Sequence, residues 1–166
     1  EYNNLNAFER QALVHSFGQL EKNYDYLLID TAPGIAENVL YLNAAVQMPC
    51  VIITPEPASL ADSYALIKVL HQRYKETRFA VVCNQVRDEK EGLGLYQRFN
   101  DVAAKFLCVS LDFWGAIPHD GALRKSTHLQ RLVLRHEPNC DAAHSIRAIS
   151  AKLERSLVNS HFKGGL

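Results

Sequence analysis

Three short, unbroken apolar runs constrain the fold of this chain most: Tyr26-Leu27-Leu28-Ile29, Cys50-Val51-Ile52-Ile53 and Phe79-Ala80-Val81-Val82-Cys83. A strand with one wet face alternates polar and apolar residues, whereas a strand covered on both faces does not. Continuous runs of this length therefore point to a parallel sheet with helices on each side. Each run stops at a polar residue or a turn, namely Asp30, Thr54-Pro55 and Asn84. A weaker fourth run, Phe113-Trp114-Gly115-Ala116-Ile117, closes at Pro118. The expected strands are 25–30, 49–54, 79–84 and 112–117, parallel neighbours or near-neighbours in one sheet.

The segments between the runs carry helical spacing. Ile35, Val39, Leu42 and Val46 recur on one helical face, as do Leu60, Tyr64, Ile67 and Tyr74 behind a Ser59-x-x-Asp62 start signal. Leu13, Phe17 and Leu20 predict an opening helix. Leu95, Phe99, Val102 and Phe106 predict another after a loop at Gly92 and Gly94, and Ile146, Ile149, Leu153 and Leu157 a closing one after Pro138-Asn139. The order αβαβαβαβα gives an α/β fold: a doubly wound, mainly parallel sheet with helices on both faces. No repeat or low-complexity stretch divides residues 1–166, so one domain is expected.

Composition narrows the partners. Lys+Arg and Asp+Glu balance at 18 each, so no net basic field argues for nucleic acid. Cys50, Cys83, Cys108 and Cys140 have no metal-ligand spacing, and Cys50 and Cys83 lie inside apolar runs, as buried free thiols of a reducing cytosol would. His128, His136 and His144 form no ligand cluster. No apolar stretch approaches the ~20 residues of a membrane span. Trp114 reads as a core residue. The closing helix reads as one packed on the sheet rather than lying on a membrane.

In a doubly wound sheet, ligands bind beyond the carboxyl ends of the strands. Asp30-Thr31-Ala32-Pro33-Gly34 follows the first run. A carboxylate at a strand tip can hold Mg²⁺, and a glycine four residues on can bring a backbone N–H to a phosphate. The same spacing equally fits a strand-to-helix turn with Asp30 as a cap. Asn84 has the donor and acceptor needed for a nucleobase edge, or is a turn residue. Pro118-His119-Asp120 could border a base with its backbone, or lead into a helix. Spacing alone leaves each pair of readings open.

The order of these motifs resembles a known family. Leu27-Leu28-Ile29-Asp30-Thr31-Ala32-Pro33-Gly34 is similar to the Walker B and switch II segment of MinD/ParA-type P-loop ATPases. Thr54-Pro55-Glu56-Pro57-Ala58-Ser59-Leu60, with Asp62, Tyr64 and Ala65-Leu66-Ile67-Lys68, resembles that family's stretch after the next strand. Within the family the likeness is to the flagellar-number regulators of the FlhG/FleN group, carried also by Leu123-Arg124-Lys125 and Gln130-Arg131-Leu132-Val133. The resemblance implies Mg²⁺ held through Asp30, the γ-phosphate of ATP sensed by Gly34, and adenine bordered by Asn84 and by Pro118, His119 and Asp120. It further implies an ATP-bound homodimer, a regulatory protein partner and a cytoplasmic site of action, with peripheral attachment to a membrane surface in the intact protein.

One departure is large. No G-x-x-x-x-G-K-[ST] occurs in the 166 residues, although backbone N–H groups of that loop supply most of a phosphate cradle. The chain is therefore expected to be the C-terminal part of a single MinD-like nucleotide-binding domain, incomplete at its N-terminus, with an exposed apolar edge, no catalytic residue of its own and no ATPase activity alone. The alternatives are a nucleotide-free interaction module of the same fold, or a cell-division-site or DNA-partition ATPase. Residues 161–166 are read as a remnant leading toward a membrane helix.

Overall fold

The computed structural model describes residues 6–20 and 24–158. The middle strand of its sheet, β2 (Arg78–Val86), is buried over Phe79–Cys83 and pairs in parallel on both sides. One neighbour is β1 (Cys50–Ile53), in the register Cys50↔Ala80 to Ile53↔Cys83. The other is β3 (Ser110–Pro118), in the register Arg78↔Ser110 to Val86↔Pro118. The continuous apolarity of Phe79–Cys83 thus has the cause expected of it: helices lie over both faces. The order β1-β2-β3 follows the chain.

Helices α3 (Pro57–Tyr74) and α4 (Glu89–Phe106) cover one face. Ile67 and Leu70 of α3, with Leu95, Phe99 and Ala103 of α4, bury Val51, Ile53, Phe79, Val81 and Cys83. Each large side chain of this kind contributes about 1.5–3 kcal/mol when removed from water. Helix α7 (Asp141–Val158) covers the other face, where Ile149 and Leu153 pack on Ala80, Val82 and Trp114. The closing helix is therefore a sheet-packing helix, and Trp114 is core. Two short helices, α5 (Gly121–His128) and α6 (Val133–His136), join β3 to α7, while α1 (Ala7–Leu20) and α2 (Glu37–Ala45) precede β1.

Four expectations are corrected. Residues 26–29 form no strand: 24–36 carry no regular structure, and Leu28 is 79% exposed. A strand needs a ladder partner as well as apolar side chains, and β1 pairs only with β2 among the described residues. The other edge of β1 has no ladder partner among the described residues, and its Ile52 is 58% exposed. Second, Ser59 is not an N-cap. Pro57 opens α3, favoured there because the first-turn N–H it lacks has no helical acceptor, and Ser59 Oγ accepts the Thr54 N–H at 3.0 Å. Third, Gly92 and Gly94 lie inside α4 rather than in a loop. A Cβ at Gly92 would stand 2.4 Å from Ala116 Cβ, so the glycine sets how closely α4 approaches β3. Val102 and Phe106 are consequently exposed, and Ala103 takes the buried face. Fourth, Cys50 is exposed as a residue on the open side of β1, although burial of its thiol still pushes it up to about 11, while Cys83 is buried as expected; all four cysteines are free.

The outer edge of β3 is closed by side chains. The Ser110 N–H donates to Thr77 O at 2.7 Å, so Ser110 faces β2 and the alternating residues Leu111 and Phe113 turn their backbone groups outward. Tyr96 Oη of α4 donates to Leu111 O at 2.5 Å, and Lys152 Nζ of α7 donates to Phe113 O at 2.5 Å.

Candidate functional site

Because the three strands are parallel, their carboxyl ends share one edge of the sheet. The register places Asn84 directly across from Ile117, and Val86 across from Pro118. One residue past the Ile53–Cys83 pair stand Thr54 and Asn84, so the ends of β1, β2 and β3 converge. The predicted neighbours Asn84 and Pro118 are brought together as the motifs required.

The end of β2 is bent locally. A register shift lies between Asn84 and Val86, and Gln85 adopts φ 57°, in the left-handed region. The Asn84 carboxamide oxygen accepts the Gln85 N–H at 2.9 Å, which orients the half-buried side chain and leaves its NH₂ end as the donor for a ligand. The ladder then extends one residue past β3, with the His119 N–H donating to Val86 O at 2.7 Å. His119 is exposed.

Asp120 has a structural task that spacing did not reveal. Its Oδ1 accepts the Ala122 N–H at 2.7 Å at the start of α5, and its Oδ2 accepts the Ala142 N–H at 3.0 Å at the start of α7. The Ala142 N–H, with those of Ala122 and Leu123 and the Cys140 thiol, holds the carboxyl below its usual range, against the opposing effect of burial. With both oxygens engaged, the side chain positions the loop, and the backbone of Pro118–Asp120 is what faces the edge.

Asp30 and Gly34 lie in the irregular stretch 24–36, and both are exposed. Gly34 has φ 101°, a conformation that side-chain-bearing residues rarely adopt, so a backbone turn sits where the resemblance places the phosphate-sensing glycine. Because 26–29 form no strand, Asp30 is not at a strand tip. A residue that the sequence reading passed over is Thr54, whose Oγ1 is buried at the end of β1 without a hydrogen-bond partner among the described residues. The signal for it was its place as the first polar residue after an apolar run. No group of three or more His, Cys, Asp or Glu side chains that could hold a metal ion occurs among the described residues.

A parallel sheet with helices on both faces, and with Thr54, Asn84 and Pro118 in this order at its carboxyl edge, is consistent with the α/β architecture of MinD/ParA-type P-loop NTPases. The chain is a homologue of members of that family. It is 33% identical over 162 residues to the antiactivator FleN of Pseudomonas aeruginosa, covering 98% of this chain and 58% of FleN. It is 32% identical over 137 residues to the flagellum site-determining protein YlxH of Helicobacter pylori, covering 80% of this chain and 45% of YlxH. It is 24% identical over 154 residues to the septum site-determining protein MinD of the same organism, covering 89% of this chain and 56% of that protein. No family model matches it. The chain spans about half the length of these curated relatives.

Proposed function

We propose that the intact protein is an ATP-binding, ATP-hydrolysing switch that dimerises on Mg²⁺-ATP in the cytoplasm and controls flagellar number or placement through a regulatory protein partner, with peripheral attachment to the membrane surface. The observation that carries the nucleotide reading is the convergence of Asn84 with Ile117 and Pro118 at the carboxyl edge. Its flagellar part is supported by the likeness to FleN and YlxH over most of the chain.

In this reading the Asn84 NH₂ group donates to the adenine edge and the Pro118–Asp120 backbone closes around it. Gly34 lends its N–H to the γ-phosphate, and Asp30 holds Mg²⁺ through water. The metal and the nucleotide together supply the charge that orders stretch 24–36, so the exposed apolar residues there would change surroundings with nucleotide state.

The test is complementation. The intact protein, and its Asp30→Ala and Asn84→Ala variants, are expressed in a flagellated bacterium lacking its FleN homologue, and flagella per cell are counted by electron microscopy. Restoration of a low count by the wild type and its loss in both variants is the expected result. A wild type that leaves the count unchanged sinks the flagellar reading. Variants as active as wild type sink the site.

A further inference from the structure

The neutral balance of the chain hides a strongly one-sided segment. Residues 121–136, spanning α5 and α6, contain Arg124, Lys125, Arg131 and Arg135 and no Asp or Glu. All four are exposed, and none makes an ion pair with any described residue. Of the two flanking carboxylates, Asp120 is committed to two helix N-termini, and Glu137 lies 4.0 Å from His136 and pairs with none of the four cations. Unpaired cations gathered on one surface create a local positive potential although the net charge is zero.

Apolar surface lies among these cations. Leu132 is 69% exposed and Leu129 50%, and a groove of about 290 Å³ runs between Arg131, Leu132, Arg135 and His136. We propose that this α5–α6 surface, where Leu129 and Leu132 stand exposed among Arg124, Arg131 and Arg135, docks an acidic amphipathic helix of a protein partner. Leucines of the partner would enter the groove, and its carboxylates would take the arginine forks, which suit them geometrically. The inference rests on the proposed function only in taking the helix to belong to the regulatory partner.

Two other anionic surfaces compete for the same cations. DNA would use the arginines but has little use for exposed leucines between them. A membrane would use both, but interfacial binding calls for an amphipathic helix lying with one continuous apolar face in the interface plane. Here α5 has eight residues and α6 four, and Leu129 and Leu132 sit in the bend between them. The shallow depression between Arg131, Leu132, Arg135 and His136 gives a leucine of a partner helix a seat with arginines on either side.

The experiment uses the full-length protein and fluorescence anisotropy. The probe is a fluorescein-labelled amphipathic helix with leucines on one face and glutamates on the other; its lysine counterpart is the control. A short DNA duplex and phosphatidylglycerol vesicles are offered separately. The expected result is binding of the glutamate peptide alone, weakened about tenfold or more by Leu132→Ser and by the Arg131→Glu, Arg135→Glu double variant. The double variant should in turn favour the lysine peptide. Both changes lie on exposed residues, and thermal melts check the folding of each variant. Failure of the wild type to bind the glutamate peptide overturns the proposal. So does binding unaffected by the variants, or preferential binding of DNA or vesicles through the same arginines. Mg²⁺-ATP binding is measured on the same samples. Peptide binding without nucleotide binding would remove the ATP switch and leave the docking surface standing, and the converse would do the reverse.

Discussion

Asp120 and Ala142 are 22 residues apart in sequence, yet Asp120 Oδ2 accepts the Ala142 N–H at 3.0 Å while Oδ1 holds Ala122 at 2.7 Å, so one carboxylate caps both α5 and α7. The helix that covers one face of the sheet is thereby tied to the loop at its carboxyl edge. An N-cap aspartate replaced by alanine costs about 0.5–2 kcal/mol per helix. Asp120→Ala should therefore lower stability by about 1–3 kcal/mol, read from urea unfolding at neutral pH. The carboxyl is held below its ordinary value, chiefly by the Ala142 N–H. Its contribution is then complete above the unfolded value near pH 4 and fades as pH falls through the lower folded value. The gap between wild type and variant should shrink below about pH 4. A gap that widens on acidification would show that the carboxylate does not act as a cap.

Asn84→Ala should weaken Mg²⁺-ATP binding by the full-length protein about tenfold or more, the loss of roughly one good hydrogen bond in a desolvated site. Titration calorimetry is the measurement. Asp30→Ala should leave metal-free nucleotide affinity unchanged and abolish the gain from Mg²⁺. An Asn84 variant with wild-type affinity would place the base elsewhere.

Two glycines of α4 should respond to alanine with opposite sign. At Gly92 the new methyl would meet Ala116 Cβ at 2.4 Å, an overpacking that costs about 1–3 kcal/mol. At Gly94 the nearest group is the far end of Arg98 at 3.6 Å, and the helix gains up to about 1 kcal/mol from the better helix former. Thermal melts of the two variants decide it. A stabilised Gly92→Ala would mean that α4 rides further from β3 than described.

Burial pushes the Cys83 thiol up to about 11, the Tyr96 contribution opposing this, so almost no thiolate forms at pH 8. Cys108 is exposed. A disulfide-exchange reagent at pH 8, followed by peptide mass mapping, should label Cys108 promptly and Cys83 only after unfolding. Equal labelling would place Cys83 outside the core.

Much of this was legible in the residues, for reasons that also mark where it stopped. Phe79–Cys83 announces itself because a strand covered on both faces must be apolar throughout, and Cys50–Ile53 shows the same pattern although only its Val51 and Ile53 are buried. Tyr26–Ile29 look the same and form no strand, since pairing depends on a neighbour that composition does not report. Asn84 and Pro118 could be placed together because parallel strands end on one side. The double cap by Asp120 could not, because its second acceptor role depends on where α7 starts in space. Gly92 was mistaken for a loop residue because its cause, the methyl of Ala116, lies across the helix–sheet interface. Ser59-x-x-Asp62 has the letters of a helix start, but Pro57 opens the helix two residues earlier.

The Tyr96 and Lys152 side chains that occupy the outward carbonyls of β3 make the sheet a directional object. Among the described residues the edge of β1 carries no such cover, while a strand approaching Leu111 or Phe113 of β3 would first have to displace Tyr96 or Lys152. Added pairing is thereby biased toward one side of the sheet, which disfavours the head-to-tail joining of β1 to β3 that builds fibres.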